Sequence, residues 1–239
     1  MALPILKQYG RSGMHGYASR TTESRMTAPM QLGSAVDALL FGHKRVVAYP
    51  GSVRRGKEWE AFAAANADSE IVTGTMLAQA QDMVSAIHDN MLTLDLLQGK
   101  YQETILFDWN GLKCRATPDV IGDGYLTELK TSQTSDPLRF PWHCIRMGYH
   151  AQMRMQNLAI GDTARDHYIV CVESIPPHPV TVYRLDEKLL EQGEKLLMLW
   201  SEKLKQCEAA QHWPGYVSSI VPIDLPEQPE ELIFAEDEQ

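Results

Sequence analysis

A chain of 239 residues with 44% hydrophobic residues can bury a sizeable core, which excludes an intrinsically disordered protein and favours one α/β domain. No apolar run is long enough to span a bilayer, and residues 1–20 lack the apolar segment and cleavage site of a signal peptide, so we expect a cytoplasmic protein without a membrane partner. The four cysteines form no CxxC pair, which disfavours a zinc or iron–sulfur site.

The negative charge of the chain is concentrated at one end. The formal net charge is −9, but the segment that starts at Asp224, DLPEQPEELIFAEDEQ, contains seven acidic residues and no basic one, which leaves −2 for the preceding residues. Basic residues are concentrated in GHKRVVAYPGSVRRGKE, and a local basic patch matters more than the total charge for steering a polyanion. The charge therefore does not exclude a nucleic-acid partner.

Helices are predicted for the first part of the chain, after an irregular arm. Residues 1–29, rich in Gly, Ser, Thr and Met, indicate the arm. The apolar spacing of PMQLGSAVDALLFG predicts a helix that ends at Gly42, and KEWEAFAAAN predicts a second helix. Between Thr75 and Leu97 the sequence predicts one long helix with a buried stripe at Met76, Ala80, Met83, Ile87 and Met91.

The period of the apolar residues then changes from 3.6 to 2, which predicts strands. YQETILFDW alternates as a strand, and the dipeptide Asn110-Gly111 favours a tight hairpin turn. LKCRATPDVI predicts a second strand, Gly122-Asp123-Gly124 a second turn, and YLTELKT a third strand. These segments together predict an antiparallel meander.

Helices and strands follow one another in the rest of the chain. The sequence predicts a helix from about Trp142 to Ile160, a buried strand in DHYIVCVES, a polar strand near 180–183 and an amphipathic helix that begins close to Asp186. This order indicates an α/β fold with a mixed central sheet flanked by helices, over residues 30–219. Residues 220–239 are interpreted as an acidic, Pro-rich tail.

Two carboxylates and a lysine stand out in CRATPDVIGDGYLTELKTS. Side chains alternate between the faces of a strand, so Glu128 and Lys130 share a face while Leu129 points to the other. The turn before this strand brings Asp119 beside them. Carboxylates that converge with a lysine suit Mg²⁺ or Mn²⁺, which can neutralise charge at a scissile phosphate.

An ordinary exposed ion pair between Glu128 and Lys130 is the alternative, because short motifs occur by chance. The context favours the functional interpretation. The helix predicted after Lys130 carries Tyr149, Gln152 and Gln156 at i, i+3 and i+7, which places them on one face. Glu103 in the first strand could supply a further carboxylate.

These motifs resemble those of the PD-(D/E)XK nuclease superfamily, and more closely those of the RecE-like (exonuclease VIII type) phage recombination exonucleases. The similarity extends from about Met30 to Trp213-Pro214. It includes, in the order of that family, the segments LGSAVDALLFG, VVAYP, RRGKEWE, GLKCRATPD, LTELKT and YHAQ. The ordered set is far more specific than the P-D and E-x-K elements alone.

The resemblance implies a restriction-endonuclease-like core and a role for each site residue. Asp119 and Glu128 would be ligands of Mg²⁺, for which Mn²⁺ would substitute, with the Leu129 carbonyl as a third ligand. Lys130 would be the catalytic lysine.

Further residues would surround this group. Tyr149 and Gln152 would complete the catalytic set, and Glu103 would lie near the metal. RecE-like proteins usually have a histidine near the metal at the position of Asp37, and we expect Asp37 to coordinate the metal in its place.

Contacts to DNA are also implied. Arg115 matches an arginine of the family pattern, whereas Thr117 replaces the arginine that normally precedes the P-D element. Arg54, Arg55 and Lys57 are expected to bind the DNA backbone or a 5′-phosphate, although a basic loop is often only solvated.

The implied activity is processive 5′-to-3′ digestion of one strand of linear double-stranded DNA. Such digestion leaves a 3′ overhang for an annealing partner of the RecT-like or Bet-like type, in a bacterial cell that carries a phage or prophage. The resemblance also favours a homo-oligomeric ring, with four subunits preferred over three. The alternatives are another PD-(D/E)XK nuclease, Cas4-like or endonucleolytic, and a non-catalytic DNA-binding protein.

Overall fold

The fold is that of a computed structural model, which describes residues 1–22 and 26–222. In chain order, its strands are β1 (Arg45–Ala48), β2 (Ser69–Val72), β3 (Lys100–Tyr101), β4 (Ile105–Trp109), β5 (Leu112–Ala116), β6 (Val120–Ile121), β7 (Tyr125–Ser132), β8 (Asp166–Glu173) and β9 (Val180–Arg184). The helices are α1 (Leu3–Arg11), α2 (Gly13–Thr21), α3 (Ala28–Phe41), α4 (Gly56–Ala65), α5 (Gly74–Asp89), α6 (Met91–Leu96), α7 (Phe140–Met147), α8 (Tyr149–Ala159) and α9 (Glu187–Ala210).

A five-stranded mixed sheet in the order β3-β6-β7-β8-β9 forms the centre. Among the described strands of this sheet, only β7 and β8 pair in parallel, and α7 and α8 provide the crossover that a parallel pair requires. Two small sheets, the parallel β1–β2 pair and the β4–β5 hairpin, lie outside it. The fold is therefore the predicted mixed α/β class.

Helices cover both faces of the central sheet. On one face, Leu129 and Val170 pack with apolar residues of α3 and α5. On the other, Leu126 and Ile169 pack with residues of α7, α8 and α9. The different clusters of Leu126 and Leu129 confirm the side-chain alternation predicted for β7.

Leu126 and Leu129 are three positions apart, so strand alternation places them on opposite faces of the sheet, and each lies in a different apolar cluster.

The N-terminal arm is not irregular, and this prediction was wrong. Residues 3–21 form α1 and α2, in which Leu6 and Tyr9 are fully buried against Trp200 and Leu204 of α9. Two buried apolar residues are too few for a helical pattern to be recognised in the sequence, and their burial depends on α9, about 190 residues further along the chain.

The single helix predicted between Thr75 and Leu97 is two helices. The Asn90 side chain accepts a hydrogen bond from the Leu92 N–H (3.0 Å), which caps α6 and ends α5. Met91 therefore leaves the predicted buried stripe and is 82% exposed, whereas Ala80, Met83 and Ile87 are buried as predicted.

The predicted meander is interrupted twice. Its first strand breaks at Gln102, a non-glycine residue with φ +52°, and its second breaks at residues 117–119. The β4–β5 hairpin turns at Asn110-Gly111 as predicted, with φ +48° and +72°, but it separates from the central sheet.

A further break divides the helix predicted for 142–160. Gly148, with φ +71°, ends α7 and precedes the first residue of α8, so the segment forms two helices instead of one. The strands β8 and β9 and the helix α9, capped by Asp186, are present as predicted. From residue 223 the predicted acidic tail lies outside the described residues.

No helix in the described ranges is long and apolar enough to cross a membrane.

Candidate active site

Glu128 is held by three donors on the α8 side of the sheet. Lys130 Nζ lies 2.5 Å from Glu128 Oε1, and the Gln152 amide donates to the same oxygen. Gln156 Nε2 donates to Oε2 over 2.7 Å. Strand alternation in β7 and the i, i+4 spacing of the glutamines in α8 produce this arrangement, which fixes both carboxylate oxygens.

Asp119 lies beside this pair, just before β6. Its Oδ2 accepts the Leu129 N–H over 2.8 Å, which ties the carboxylate to the middle of β7. The Leu129 side chain packs on the opposite face of the sheet, so this residue offers only its backbone to the site. The structure thus brings Asp119, Glu128 and Lys130 together.

Asp37 reaches the same place from α3. The Gln102 side-chain amide donates to Asp37 Oδ1 (3.0 Å) and to Asp119 Oδ1 (2.9 Å), and so bridges the two carboxylates. His43 Nε2 lies 3.6 Å from Asp37 Oδ2. Gln102 thus links the carboxylates of Asp37 and Asp119, while Glu128 lies on Lys130.

One open cavity of about 1200 Å³ is lined by Asp37, Gln102, Asp119, Glu128 and Lys130. Tyr149 lies at its wall, with its ring centroid 4.9 Å from Lys130 Nζ, a distance at which a cation is attracted to an aromatic face. The volume exceeds the roughly 300–1,000 Å³ of sites that hold a drug-sized ligand. The cavity therefore has room for part of a polymer.

The carboxylates repel one another. Burial raises the pKa of Asp119 well above its usual range, and the charge of Glu128 adds to this effect. Burial also raises the pKa of Asp37 to about 6, although His43 opposes the shift. Burial by itself would lower the pKa of Lys130, but attraction to Glu128 and Asp119 outweighs it and raises that pKa.

These residues suit a hard divalent cation. Within residues 1–22 and 26–222, no three His, Cys, Asp or Glu side chains converge into a complete ligand set. Mg²⁺, however, usually takes one or two carboxylates and completes its octahedron with waters and substrate oxygens. Asp119 and Glu128 provide two such carboxylates, and their excess negative charge favours a cation, so the donor set fits Mg²⁺ or Mn²⁺.

Glu103 is not brought to the site, which corrects its expected place near the metal. Its carboxylate is half-exposed, lies 3.7 Å from Lys100 Nζ and does not line the cavity. The left-handed backbone at Gln102 is the reason, since it directs the Gln102 side chain inward and the next residue outward. The neighbouring glutamine thus occupies the position that the sequence suggested for the glutamate.

The predicted DNA-binding residues lie outside the cavity lining. Arg54 donates to Gln31 Oε1 over 3.3 Å and its guanidinium lies 5.6 Å from the Trp59 ring centroid. Arg55 and Lys57 are exposed near the start of α4. Arg115 is exposed on β5, where its backbone N–H donates to the Met1 carbonyl. Their contacts to DNA stay predictions.

Sequence reasoning missed several cavity residues. Gln102 carried no recognisable signal beyond its place next to an acidic residue. Arg139, Trp142 and Arg146 line the cavity from α7, and their i, i+3, i+7 spacing was a detectable pattern in PLRFPWHCIRM.

The central sheet is mixed and contains one parallel pair. A carboxylate precedes one of its strands, and an E-x-K triplet lies within the next strand. These features define a PD-(D/E)XK-type fold and site. The chain belongs to the family described as PDDEXK-like domain of unknown function (DUF3799), whose model matches residues 3–222. No curated protein is significantly similar to the sequence.

Among the solved structures that are similar to this chain, one shares the fold. A protein from Eubacterium rectale, described as a candidate exonuclease, is 14% identical, with a TM-score of 0.67 over 94% of this chain and 90% of that one. A phage-related exonuclease from Haemophilus somnus has 11% identity and a TM-score of 0.39, over 87% and 95% of the two chains. An alkaline exonuclease from Laribacter hongkongensis has 17% identity and a TM-score of 0.35, over 74% and 96%. The first similarity supports the fold, whereas the TM-scores of the other two are too low to support it.

Proposed function

We propose that this protein is a divalent-cation-dependent deoxyribonuclease of the RecE-like (exonuclease VIII) type. It would digest one strand of linear double-stranded DNA from 5′ to 3′ and leave a 3′ overhang for homologous recombination by single-strand annealing. The observation that carries the proposal is the convergence of Asp119, Glu128 and Lys130 in one open cavity, on the fold of this family. The exonuclease description of the Eubacterium rectale protein agrees with it.

The chain's own residues have separable roles in this proposal. The donors Gln152, Gln156 and Lys130 hold Glu128 in one orientation, and the Leu129 N–H does the same for Asp119. Preorganised groups of this kind need little rearrangement during a reaction. Lys130, kept protonated by its neighbours, would orient the attacking water and offset negative charge on the phosphate.

Mg²⁺ or Mn²⁺ would be held by Asp119, Glu128 and the Leu129 carbonyl, with Asp37 as a further carboxylate, and would supply Lewis-acid stabilisation of the phosphate oxygens. Tyr149 would keep Lys130 in place through its ring face.

Nucleotide release from end-labelled DNA tests the proposal. With Mg²⁺ or Mn²⁺, the wild type should release a 5′ label from a linear duplex before a 3′ label, and EDTA should stop the release. Closed circular DNA should resist digestion, because it has no ends. Asp119→Asn and Lys130→Met should each lose activity by at least about a hundredfold, because each removes a group at the reacting phosphate.

Each contrary outcome identifies another function. Cleavage of circular DNA would indicate the endonucleolytic alternative, and early release of the 3′ label would reverse the polarity. A wild type that binds DNA but releases no nucleotide with either cation would indicate a non-catalytic DNA-binding protein, and the nuclease proposal would be wrong.

A ring of identical subunits would reconcile processive digestion with the acidic composition. A net charge of −9 opposes association with DNA at long range. A ring that encloses the duplex would retain it by topology, with the exposed Arg54, Arg55, Lys57 and Arg115 facing DNA. Four subunits are favoured over three. Light scattering that finds a monomer, together with processive digestion, would contradict the ring.

An annealing protein of the RecT-like or Bet-like type is the proposed partner, because it would bind the 3′ strand that digestion exposes. Addition of such a protein during digestion should yield annealed products from two DNA molecules with complementary ends. Equal yields with Asp119→Asn would contradict the coupling, since that variant exposes no overhang.

A further inference from the structure

The helix α7 presents a basic and aromatic face to the candidate active site. Arg139, at its N-cap, and Trp142, His143 and Arg146 lie at i, i+3, i+4 and i+7, and all four line the same cavity as Asp119 and Glu128. This spacing places them on one side of a helix. The opposite side is anchored, because Phe140 and Cys144 are buried in an apolar cluster.

Trp142 is the unusual member of this face. Its surface is 75% exposed, although it is one of only five tryptophans in the chain. Because the ring stays exposed, Trp142 contributes little of the hydrophobic free energy that burial of so large an apolar side chain would give. A flat aromatic ring beside a polar cavity is a suitable surface for stacking on a nucleobase, an interaction that every base can make.

The two arginines give the same face a positive charge. Arg139 Nε lies 3.8 Å from Asp136 Oδ2, in an exposed pair that contributes little stability. Arg146 makes no ion pair with a carboxylate in the described part of the chain, and its Nη2 lies 3.5 Å from His143 Nδ1. Guanidinium groups bind phosphate oxygens through paired N–H donors.

A short series of contacts joins this face to the candidate catalytic lysine. His143 Nε2 lies 3.4 Å from the Tyr149 hydroxyl, and the ring of Tyr149 lies beside Lys130. The anchored helix therefore holds Trp142 and the arginines at a fixed place relative to Glu128 and Asp119.

We propose that the α7 face binds an unpaired nucleic-acid strand next to the candidate active site. Trp142 stacks on a base of that strand, and Arg139 and Arg146 bind its phosphates. This inference rests on the proposed nuclease function and adds the form of the substrate, because the bases of an unpaired strand have free faces that can stack on Trp142.

Equilibrium binding of a fluorescein-labelled, ten-nucleotide single strand tests the proposal, with EDTA present so that no strand is cut. Trp142→Ala should weaken binding about fivefold to 150-fold, the range for loss of one stacked base. The wild type should bind an abasic version of the strand more weakly than the intact strand. Trp142→Ala should bind the abasic strand with nearly the affinity of the wild type. Trp142→Phe should retain most of the affinity, since it keeps an aromatic face.

The arginines are tested through salt dependence. Arg139→Ala/Arg146→Ala should reduce the slope of log affinity against log salt by about 1.4, as expected when two contacts to single-strand phosphates are lost. The matched control is Arg165→Ala/Lys188→Ala, which removes two exposed positive charges outside the cavity lining. Tyr216→Ala, at an exposed aromatic residue outside the cavity, is the control for Trp142→Ala.

The outcomes separate this inference from the proposed function. Unchanged affinity in Trp142→Ala, an equal loss on intact and abasic strands, or an equal change of slope in the arginine variant and its control would each overturn the inference. If digestion by the wild type depends on Mg²⁺ while these variants bind normally, the nuclease function stands without this subsite. If the variants lose binding as expected and the wild type digests nothing, the subsite stands and the nuclease proposal fails.

Discussion

The Gln102 side-chain amide lies 2.9 Å from Asp119 Oδ1 and donates a hydrogen bond to it. The same amide donates to Asp37, so a neutral group bridges two carboxylates whose pKa values are raised by burial. The bridge satisfies oxygens that a cation would otherwise contact.

Gln102→Ala removes this bridge. We expect it to lower the free energy of unfolding without metal by about 1–3 kcal/mol, because hydrogen bonds to charged groups are lost. Addition of Mg²⁺ should raise the melting temperature more in this variant than in the wild type, since the amide no longer competes for Asp119. Differential scanning fluorimetry measures both effects, with Gln98→Ala as a control at an exposed glutamine. Equal Mg²⁺ shifts in wild type and Gln102→Ala would contradict the competition.

The pKa of Asp37 predicts a dependence of stability on pH. Because burial raises this pKa from 3.8 to about 6, the folded state holds the proton more tightly than the unfolded state does. The resulting stability is fully present below about pH 4 and is lost as the pH rises through 6. Asp37→Asn should therefore be more stable than the wild type at pH 7.5, by about 1–3 kcal/mol, in the presence of EDTA.

Denaturant unfolding at pH 4.5 and at pH 7.5 measures this effect. The difference between Asp37→Asn and the wild type should grow from the lower to the higher pH. A difference that is the same at both values would show that Asp37 titrates normally in the folded state.

Calcium is expected to support DNA binding without digestion. Ca²⁺ accepts oxygen ligands but has longer, more variable bonds than Mg²⁺, so it holds the reacting groups less tightly. Gel-shift and digestion assays in parallel, with Mg²⁺ and EDTA as references, test this expectation. Digestion with Ca²⁺ at a rate close to that with Mg²⁺ would contradict the assigned site.

Gly193 permits the close approach of α9 to α8. A Cβ atom at this position would lie 2.6 Å from the His150 carbonyl oxygen. Gly193→Ala should lower the free energy of unfolding by about 1–3 kcal/mol, the usual cost of overpacking. It should also reduce activity, because α8 carries the glutamines that hold Glu128. Gly74→Ala, where the added methyl meets nothing within 4 Å, is the matched control and should leave both quantities nearly unchanged.

The N-terminal helices are expected to be part of the cooperative fold. Leu6 is fully buried against α9, and Leu6→Ala should lower the free energy of unfolding by about 2–5 kcal/mol. Met14→Ala, at a residue that is 60% exposed, should change it little. If urea unfolding of Leu6→Ala matches that of the wild type, α1 does not contribute to global stability.

Local chemistry let the sequence by itself determine much of the fold. Gly42 ends α3, Asn110-Gly111 turns the hairpin and Asp186 caps α9, because each depends on the backbone preferences of one or two residues. The same holds for the shared face of Glu128 and Lys130, which follows from strand alternation alone.

Only the tertiary structure decided which other side chains reach these two residues. Because of the left-handed backbone at Gln102, this glutamine reaches the site in place of the expected Glu103, and no local sequence pattern predicts φ > 0 at Gln102. The turn at Gly148 separates α7 from α8 and directs Trp142 and Arg146 into the cavity. Burial of Leu6 likewise depends on α9, because contacts between distant segments form only when the chain is folded.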